Sequence, residues 1–536
     1  MDTGSTAFLK IKYLFSTPDS ERFAFFVVSG QSGFAACPPL RKLLKSSGGQ
    51  ALRPDFISFP GGAESLQINF QKEGPVKSRQ KEMEKFFKLK EHGTNVRTEV
   101  IAGLTTFLTM AYILAVNPNI LGTVMDKSGV FVATALASAI ATFIMGLWAN
   151  YPIALSAGLG LNAYFAYTVC LGELGGEADA FTICLTAVFV EGIIFIVLSL
   201  FKVREQIING IPMNLKNGIS AGIGLFVAFI GMQGAGIIIK NDSTLVSLGD
   251  FAKPQVALAL IGFVIILILV HYHVKGAVLI GILATWFLGM LAQLGGWYVV
   301  DVENGVYSLF PDFSQGLQLG GIANTAFKFN FAWAGEHLIQ FIAIMFSFLY
   351  VDLFDTVGTV VGVADKAGLL DKEGKLPRVG RVLMSDAVGT VAGACLGTST
   401  ITSFVESSAG VAAGGRTGLT AVVTGFMFLV SLVLSPIFLA IPSFATAPAL
   451  IYVGMLMVSS AKKIEFDGDI ADTAAAYMAL VMMPLSYSIA TGIMFGIIVW
   501  VILKVFEKKT KDISPVMWVV FVLFCLRIVS LVTHFS

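Results

Sequence analysis

Apolar segments as long as a lipid bilayer is thick recur from about residue 100 of this chain to its end. A helix needs about 20 apolar residues to cross ~30 Å of hydrocarbon, and hydropathy marks fourteen candidates between residues 100 and 505. Charged residues make up 13% of the chain, against about 25% in soluble domains. Because unpaired backbone is costly in lipid, recurring spans of this kind predict an all-α polytopic membrane protein.

The candidate spans form two sets of seven with a polar stretch between them. The first set lies at 100–123, 130–149, 153–170, 179–201, 215–238, 255–271 and 276–298. The second set lies at 337–362, 380–396, 399–414, 418–441, 446–460, 472–485 and 488–505. We therefore predict a first seven-helix repeat at 83–298, an extracellular linker at 299–335 and a second seven-helix repeat at 336–506. An odd number of spans inverts the second copy, an arrangement typical of secondary transporters.

Lysine and arginine residues collect in loops on one side of this predicted bundle. They precede the first span and follow spans four, eight, twelve and fourteen, whereas the loop after span three is acidic. Basic loops are cytoplasmic by the positive-inside rule. We therefore expect a multi-pass protein with a cytoplasmic N-terminus, and the class of protein favours the plasma membrane.

The two ends of the chain differ from this pattern. Residues 1–82 are of mixed composition and contain no apolar run long enough to span a bilayer. We expect them to be a non-native or disordered N-terminal extension, with Met83 as the natural start. The C-terminal segment 507–536 carries an extra apolar stretch at 515–533, which either crosses the membrane or lies against the bundle.

Two short, glycine-interrupted segments occupy matching positions in the two predicted repeats. They are Ser156-Ala-Gly-Leu-Gly-Leu-Asn162 in span three and Gly397-Thr-Ser-Thr400 at the start of span ten. Interrupted spans at equivalent positions indicate a substrate site near the middle of the membrane. Their backbone amides can bind a polar ligand there, although such backbone could not face lipid.

Acidic residues inside the spans are the clearest chemical signal. A carboxylate costs about 2.5–3.5 kcal/mol at the bilayer centre, so its presence indicates a function. In span eight, Asp352, Asp355 and Thr359 follow helical spacing and form one polar stripe. We predict a ligand contact and a proton-accepting carboxylate on this stripe. The alternative is a set of helix–helix hydrogen bonds with no role in transport.

Glu406 lies a few residues into the interrupted span ten, where its carboxylate could accept N–H groups from the edge of a heterocycle. The alternative is a carboxylate stabilised by the helix N-terminus and by a partner such as Arg416. Asn162 in span three offers both a donor and an acceptor, although a buried Asn is more often a link between helices. We include Phe404 and Ser407, which flank Glu406, among the predicted substrate contacts.

Other features of the sequence point away from further chemistry. Glu191 and Asp386 are acids in uninterrupted spans, and we expect a structural or gating pair for each. No motif of a metal site, a nucleotide-binding loop or a catalytic nucleophile is present, so we predict neither an enzyme nor a metal protein. The formal net charge of +1 argues against a nucleic-acid partner.

Three separated motifs of this chain resemble the AzgA-like purine permeases, a branch of the nucleobase–cation symporter-2 (xanthine/uracil permease) superfamily. They are the stretch from Phe86 to Ile113, the span-eight motif Val351-Asp-Leu-Phe-Asp-Thr-Val-Gly-Thr359, and the span-ten stretch from Phe404 to Thr420. The resemblance covers about 83–536.

This resemblance implies a uracil-permease-like fold, with a core domain (spans 1–4 and 8–11) and a gate domain (spans 5–7 and 12–14). It also implies short antiparallel strands in spans three and ten that hold the base between the domains. By position, Asp352 and Glu406 would bind the base, with Asp355 and Asn162 as supporting contacts. The implied substrates are adenine, guanine and hypoxanthine, imported with protons and without another cofactor; a homodimer is left open.

Two alternatives from other classes deserve comparison. An anion transporter of the sulfate or bicarbonate type would share the fold, but it should present cationic or neutral groups at the interrupted spans. Asp352, Asp355 and Glu406 are all acids, which favours the purine carrier. An intramembrane aspartyl protease needs two facing aspartates on separate helices, whereas Asp352 and Asp355 share one predicted helix.

Overall fold

The computed structural model describes residues 82–200, 212–301, 306–314, 316–369 and 376–533, together with two short strands nearer the N-terminus. The chain divides into two compact units, Met1–Lys85 and Phe86–Ser536. In the first unit, strand β1 (Phe25–Phe26) pairs antiparallel with β2 (Ile68–Asn69). The rest of the predicted N-terminal extension lies outside the described residues.

The second unit is built almost entirely from helices. The first half contains α1 (Val96–Met110), α2 (Ile113–Leu121), α3 (Lys127–Ile144), α4 (Leu159–Ala163), α5 (Ala180–Leu200), α6 (Met213–Gly234), α7 (Pro254–His271) and α8 (Ala277–Leu294). Two short helices follow, α9 (Ile322–Thr325) and α10 (Phe331–Glu336). The second half contains α11 (Leu338–Lys366), α12 (Val379–Leu396), α13 (Ser407–Ala412), α14 (Gly418–Ser431), α15 (Ser435–Ala440), α16 (Ser443–Val458), α17 (Ile470–Leu485), α18 (Ile489–Phe506) and α19 (Pro515–Thr533).

The described part of this unit also contains four short strands, two π-helical segments and three short 3-10 helices. Strand β3 (Leu155–Ala157) pairs with β6 (Ile401–Ser403), and β4 (Ile238–Asn241) forms a hairpin with β5 (Leu245–Leu248). The π-helical segments are Met145–Ala149, at the end of α3, and Tyr164–Glu173, which directly continues α4. π-Helical turns are rare and frequently occur at functional sites.

Polar side chains cap several of these helices and so fix where they begin. The Asn95 side chain accepts the Thr98 N–H at the start of α1, and Asp126 accepts the Gly129 N–H at the start of α3. Asp469 does the same for α17 by accepting the Ala471 N–H. Each cap satisfies a backbone donor that the helix itself leaves unpaired.

The helices pack into two groups. In the first group, α12 packs on α3 and α5, while α14 packs on α1 and α3 and α13 packs on α1. In the second group, α6 packs on α16 and α17, with α18 against α17 and α7 and α8 against α16. The two groups thus correspond to α1–α5 with α11–α14, and to α6–α8 with α16–α18; we call them the first and second packing groups.

The composition of the helices shows a multi-pass membrane protein. Among the described residues, ten helical stretches are long and apolar enough to cross a bilayer, the longest being Val96–Leu121. Shorter apolar helices occur at Leu338–Leu353, Ile470–Leu485 and Met517–Ile528. Many apolar side chains on these helices are exposed at the protein surface, as expected where the neighbour is lipid.

The last helix, α19, packs on both sides of the boundary between the groups. It follows α18 in the chain and contacts it. Its Phe524 ring lies 5.4 Å from Phe346 and 5.2 Å from Tyr350 of α11. The nearly buried Arg527 of α19 also donates a 2.7 Å hydrogen bond to Glu173, at the end of the second π-helical segment. The extra apolar stretch at 515–533 therefore lies along the bundle over much of its length.

Candidate functional site

Two interrupted helices meet where β3 pairs with β6. Ser156 lies opposite Thr402 in this antiparallel pair, although 246 positions of sequence separate them in the chain. The Gly158 N–H donates to the Thr400 carbonyl (3.1 Å), and the Phe404 N–H donates to the Ala154 carbonyl (3.0 Å). These bonds satisfy extended backbone in the interior of the bundle, where water is absent.

A short helix begins directly after each strand. α4 starts beyond β3 with Gly158 as its N-cap, and α13 starts beyond β6 with Glu406 as its N-cap. Because the strands are antiparallel, the two helices leave the crossing in opposite directions, with their first N–H groups beside it. We call the β3–β6 pair and the first turns of α4 and α13 the crossing.

Glu406 is half-buried at the crossing. Its carboxylate Oε1 accepts a 2.5 Å hydrogen bond from the hydroxyl of Tyr112, and its carbonyl accepts one from Thr109 (3.4 Å). Tyr452 of α16, in the second packing group, lies within electrostatic range of the same carboxylate. α16 also packs on α2, which begins directly after Tyr112, so the two packing groups meet near Glu406.

Arg416, the alternative partner for Glu406, is engaged elsewhere. Its guanidinium donates to the carbonyls of Val411 (2.6 Å) and Gly415 (2.7 Å). These guanidinium contacts of Arg416 are not the ion pair with Glu406 that the structural alternative requires.

Asn162 is fully buried in α4, at the opposite end of the crossing. Its Oδ1 accepts a short hydrogen bond from the Ser399 hydroxyl. Its Nδ2 has no hydrogen-bond partner among the described residues. An unused buried N–H donor is costly, since it has lost its water without replacement, so this amide group is available to a ligand.

The other two predicted substrate contacts of span ten, Ser407 and Phe404, form hydrogen bonds within the crossing. The Ser407 hydroxyl is buried and accepts the Ala154 N–H (3.0 Å). Phe404 is also buried, and its backbone N–H belongs to the strand ladder. The Phe404 ring immediately precedes the Glu406 turn and can contribute apolar contact area beside it.

Asp352 is fully buried in α11, which packs against β6 and α13. The Thr356 hydroxyl, one turn further on, lies 3.2 Å from Asp352 Oδ1 and 2.9 Å from Asp386 Oδ2 of α12. One hydroxyl hydrogen cannot serve two carboxylates at once. A proton on either carboxyl group would let that group donate to the Thr356 oxygen and complete both bonds. The side chain of Asp355 lies outside the described residues.

Glu191 of α5 is the second acid for which the sequence predicted a structural or gating pair. It is fully buried, and its Oε2 accepts a hydrogen bond from the Thr400 hydroxyl (3.2 Å). Thr400 immediately precedes β6, and its carbonyl is part of the strand ladder. Glu191 therefore stabilises the crossing through its hydrogen bond with Thr400.

Sequence reasoning did not single out three residues that the structure brings into or near the site. Tyr112 and Tyr452 contact or face Glu406, and the fully buried Glu99 anchors the segment after α13. Tyr112 could have been noticed in the sequence, because it is a tyrosine in a largely apolar span and lies six residues before Pro118. The pairing of Glu99 with residues 416–420 had no signal in a single sequence.

No three His, Cys, Asp or Glu side chains in the described parts of the chain are grouped so as to hold a metal ion. The site instead consists of a buried amide donor, a half-buried carboxylate and a hydroxyl-bridged pair of acids. The fold defines a multi-pass membrane protein in which polar side chains collect around two interrupted helices.

Comparison with known proteins gives the family. Residues 97–495 match the family model described as Permease family (Xan_ur_permease). The chain therefore belongs to this permease family, and the resemblance to purine permeases found in the sequence is confirmed.

The chain matches two named relatives over nearly their whole length. The chain is 43% identical to the adenine permease AdeP of Escherichia coli over 454 residues, covering 84% of this chain and 97% of the relative. It is 44% identical to the guanine/hypoxanthine permease PbuG of Bacillus subtilis over 464 residues, covering 84% and 100%.

A solved structure supports the architecture. The transmembrane domain of a cyanobacterium bicarbonate transporter, BicA, matches with a TM-score of 0.55 and 14% sequence identity, covering 74% of this chain and 96% of that chain. At this identity the match shows a shared fold alone.

Proposed function

We propose that this protein imports purine bases across the plasma membrane by proton symport. The observation that carries the proposal is that one strand crossing holds an unused amide donor on Asn162 at one end and the half-buried carboxylate of Glu406 at the other. A purine presents N–H donors and ring nitrogen or carbonyl acceptors around its rim, so a donor and an acceptor on different sides of a bound base would complement it. The names of AdeP and PbuG support adenine, guanine and hypoxanthine as the substrates to test.

The contacts of Thr356 support a site for the coupled proton. Thr356 bridges Asp352 and Asp386 with a single hydroxyl hydrogen, so a proton taken up by either acid would complete the hydrogen bonds there. α11 carries Asp352 and packs on α13, which carries Glu406 at its N-cap. We propose that protonation of Asp352, with Glu406 and Asp355 as further coupling groups, is linked through this contact to binding of the base.

The two packing groups supply the moving parts. We infer that α1–α5 with α11–α14 form the core domain, and that α6–α8 with α16–α18 form the gate domain, in fourteen spans arranged as two inverted repeats. α16 of the second group packs on α2 of the first, next to the Tyr112–Glu406 contact. Motion of one group against the other would therefore open the crossing alternately to either side. The N-terminus would be cytoplasmic, and no enzymatic step is involved.

Anion transport is the second candidate, and the fold of BicA is the observation that favours it. The chemistry of the crossing favours the purine. Glu406, Asp352 and Asp386 are all carboxyl groups near the two interrupted helices, and a bound anion would meet their charge in a medium that screens poorly.

Uptake of radiolabelled hypoxanthine, guanine, adenine, xanthine and uracil into cells lacking their own permeases tests the proposal. We expect uptake of 6-oxo- or 6-aminopurines that collapses when a proton uncoupler is added. Glu406→Gln should abolish it, whereas Asp242→Asn, which neutralises an exposed acid of the β4–β5 hairpin, should not. Bicarbonate or sulfate uptake without purine uptake would instead establish the second candidate.

A further inference from the structure

Tyr112 makes the shortest described contact to the carboxylate of Glu406, the group proposed to bind the base. Its ring is fully buried, and its hydroxyl lies 2.5 Å from Glu406 Oε1 although 294 positions separate the two residues in the chain. Hydrogen bonds between a hydroxyl and a carboxylate are short and strong because the acceptor is charged. This contact therefore fixes which way the carboxylate points.

The backbone presents Tyr112 at this point because its span is broken there. α1 ends at Met110 and α2 begins at Ile113, so Tyr112 lies in the interval. Pro118, within α2, cannot donate to the carbonyl of Leu114, and its ring crowds that carbonyl. The hydrogen bonding of the helix is consequently weakened in this region, and the Tyr112 hydroxyl reaches Glu406 at the N-cap of α13.

Close packing keeps the two segments at this separation. A Cβ atom added at Gly410 of α13 would lie 2.0 Å from the Thr106 hydroxyl and 2.7 Å from the Ala102 carbonyl of α1. Only glycine fits between the backbones at this point. Thr109, one turn before Tyr112, also donates to the Glu406 carbonyl. Span one therefore contacts both the backbone and the carboxylate of Glu406.

We propose that Tyr112 is a positioning and selectivity residue for purine binding, which it achieves by holding Glu406 Oε1 so that Oε2 is directed toward the base. This inference rests on the proposed function, since it assigns a role toward the same ligand. With Oε1 engaged by the tyrosine, one lone pair of that oxygen is already used.

The arrangement has a consequence for the choice of base. Hypoxanthine offers a single N–H at its pyrimidine edge beside the 6-oxo group, and one carboxylate oxygen suffices for it. Guanine offers two neighbouring N–H donors, from N1 and the 2-amino group, and pairs best with both oxygens. Removing the Tyr112 hydroxyl frees Oε1 to accept a second N–H group from the base. Guanine supplies such a group and should regain part of the affinity that is lost with the positioning, whereas hypoxanthine should not.

The test is the kinetics of uptake by Tyr112→Phe for the two bases. We expect the KM for hypoxanthine to rise about tenfold, the size of one hydrogen bond to a charged group, with Vmax within about twofold of wild type. The KM for guanine should rise about threefold or less. Tyr151→Phe is the matched control, since its buried hydroxyl donates a 2.5 Å bond to the Pro377 carbonyl, away from Glu406.

Equal KM values for wild type and Tyr112→Phe, or an equal rise in Tyr151→Phe, would overturn the inference. If Tyr112→Phe reaches the membrane but does not transport, equilibrium binding of both labelled bases to purified protein replaces uptake, and the same ratio of affinities is expected. Failure of the proposed function is distinguishable, because wild-type protein would then take up neither base and Glu406→Gln would change nothing.

Discussion

Replacing Glu99 should destabilise the protein more than any exposed acid would. Glu99 is fully buried in α1, and its carboxylate accepts the backbone N–H groups of Arg416 (2.9 Å), Thr417 (3.3 Å) and Thr420 (3.2 Å) and the Thr420 hydroxyl (2.6 Å). These are the donors at the start of α14. In Glu99→Ala the N–H groups of Arg416 and Thr417 lose their acceptor in the interior of the protein, whereas the Thr420 N–H and hydroxyl keep the carbonyls of Thr417 and of residue 99.

The expected size follows from the number of donors. Each orphaned buried donor costs about 1–3 kcal/mol, so the two N–H groups that have no other acceptor, those of Arg416 and Thr417, lower the free energy of unfolding by about 4 kcal/mol. An unfolding entropy of ~2.1 cal/mol/K per residue over the unit Phe86–Ser536 amounts to about 1 kcal/mol/K. The midpoint of thermal unfolding should therefore fall by about 4 °C. Glu99→Gln keeps one acceptor oxygen and should lose about half as much.

Thermal unfolding of the detergent-purified variants, followed by tryptophan fluorescence, measures this change. Glu91→Ala is the control, because Glu91 is exposed and pairs only with the exposed Lys88 among the ion pairs described; such a pair contributes little. If Glu99→Ala unfolds within about 1 °C of this control, the carboxylate does not anchor α14 and the reasoning from the four contacts is wrong.

Three further predictions concern the site and the charged end of α17. Thr356→Val removes the hydroxyl between Asp352 and Asp386, so purine uptake should fall about tenfold or more, whereas Thr356→Ser should retain it. Asn162→Ala removes the unused buried donor and should raise the KM for purines about tenfold at unchanged surface expression. Hydrogen bonds from two lysine ammonium groups hold the pKa of Asp469 below its usual 3.8. This stabilisation is present above that pH and is lost in stronger acid, so the thermal-stability deficit of Asp469→Asn at pH 7 should shrink below about pH 4.

Hydropathy and the cost of charge in lipid explain what could be predicted from the sequence. The stretch predicted at 515–533 is helix α19, and the candidate at 255–271 coincides almost residue for residue with α7. The positions of Asn162 and Glu406 beside interrupted helices could be predicted because glycine-interrupted segments are visible along the chain. Those signals are local, since length, periodicity and isolated polar residues are properties of a short window.

Contacts between distant segments could not be predicted in this way. Asp386 was expected in a structural or gating pair, but the sequence did not identify its contact with the Thr356 hydroxyl, which also contacts Asp352 on the preceding helix. Tyr112 approaches Glu406 because its span packs against α13, which is distant in the sequence. Such partners are chosen by the tertiary structure, so no single-sequence pattern identifies them.

The bond between Arg527 and Glu173 has a consequence for biosynthesis. The two residues are 354 positions apart, so the ribosome must add most of the second half of the protein before the acid at the end of the Tyr164–Glu173 segment meets its cation. Until α19 emerges and docks with Phe524 against α11, that region remains incomplete in the membrane. A premature stop codon that removes only α19 should therefore give a protein that inserts normally but is selectively recognised by membrane quality control and degraded.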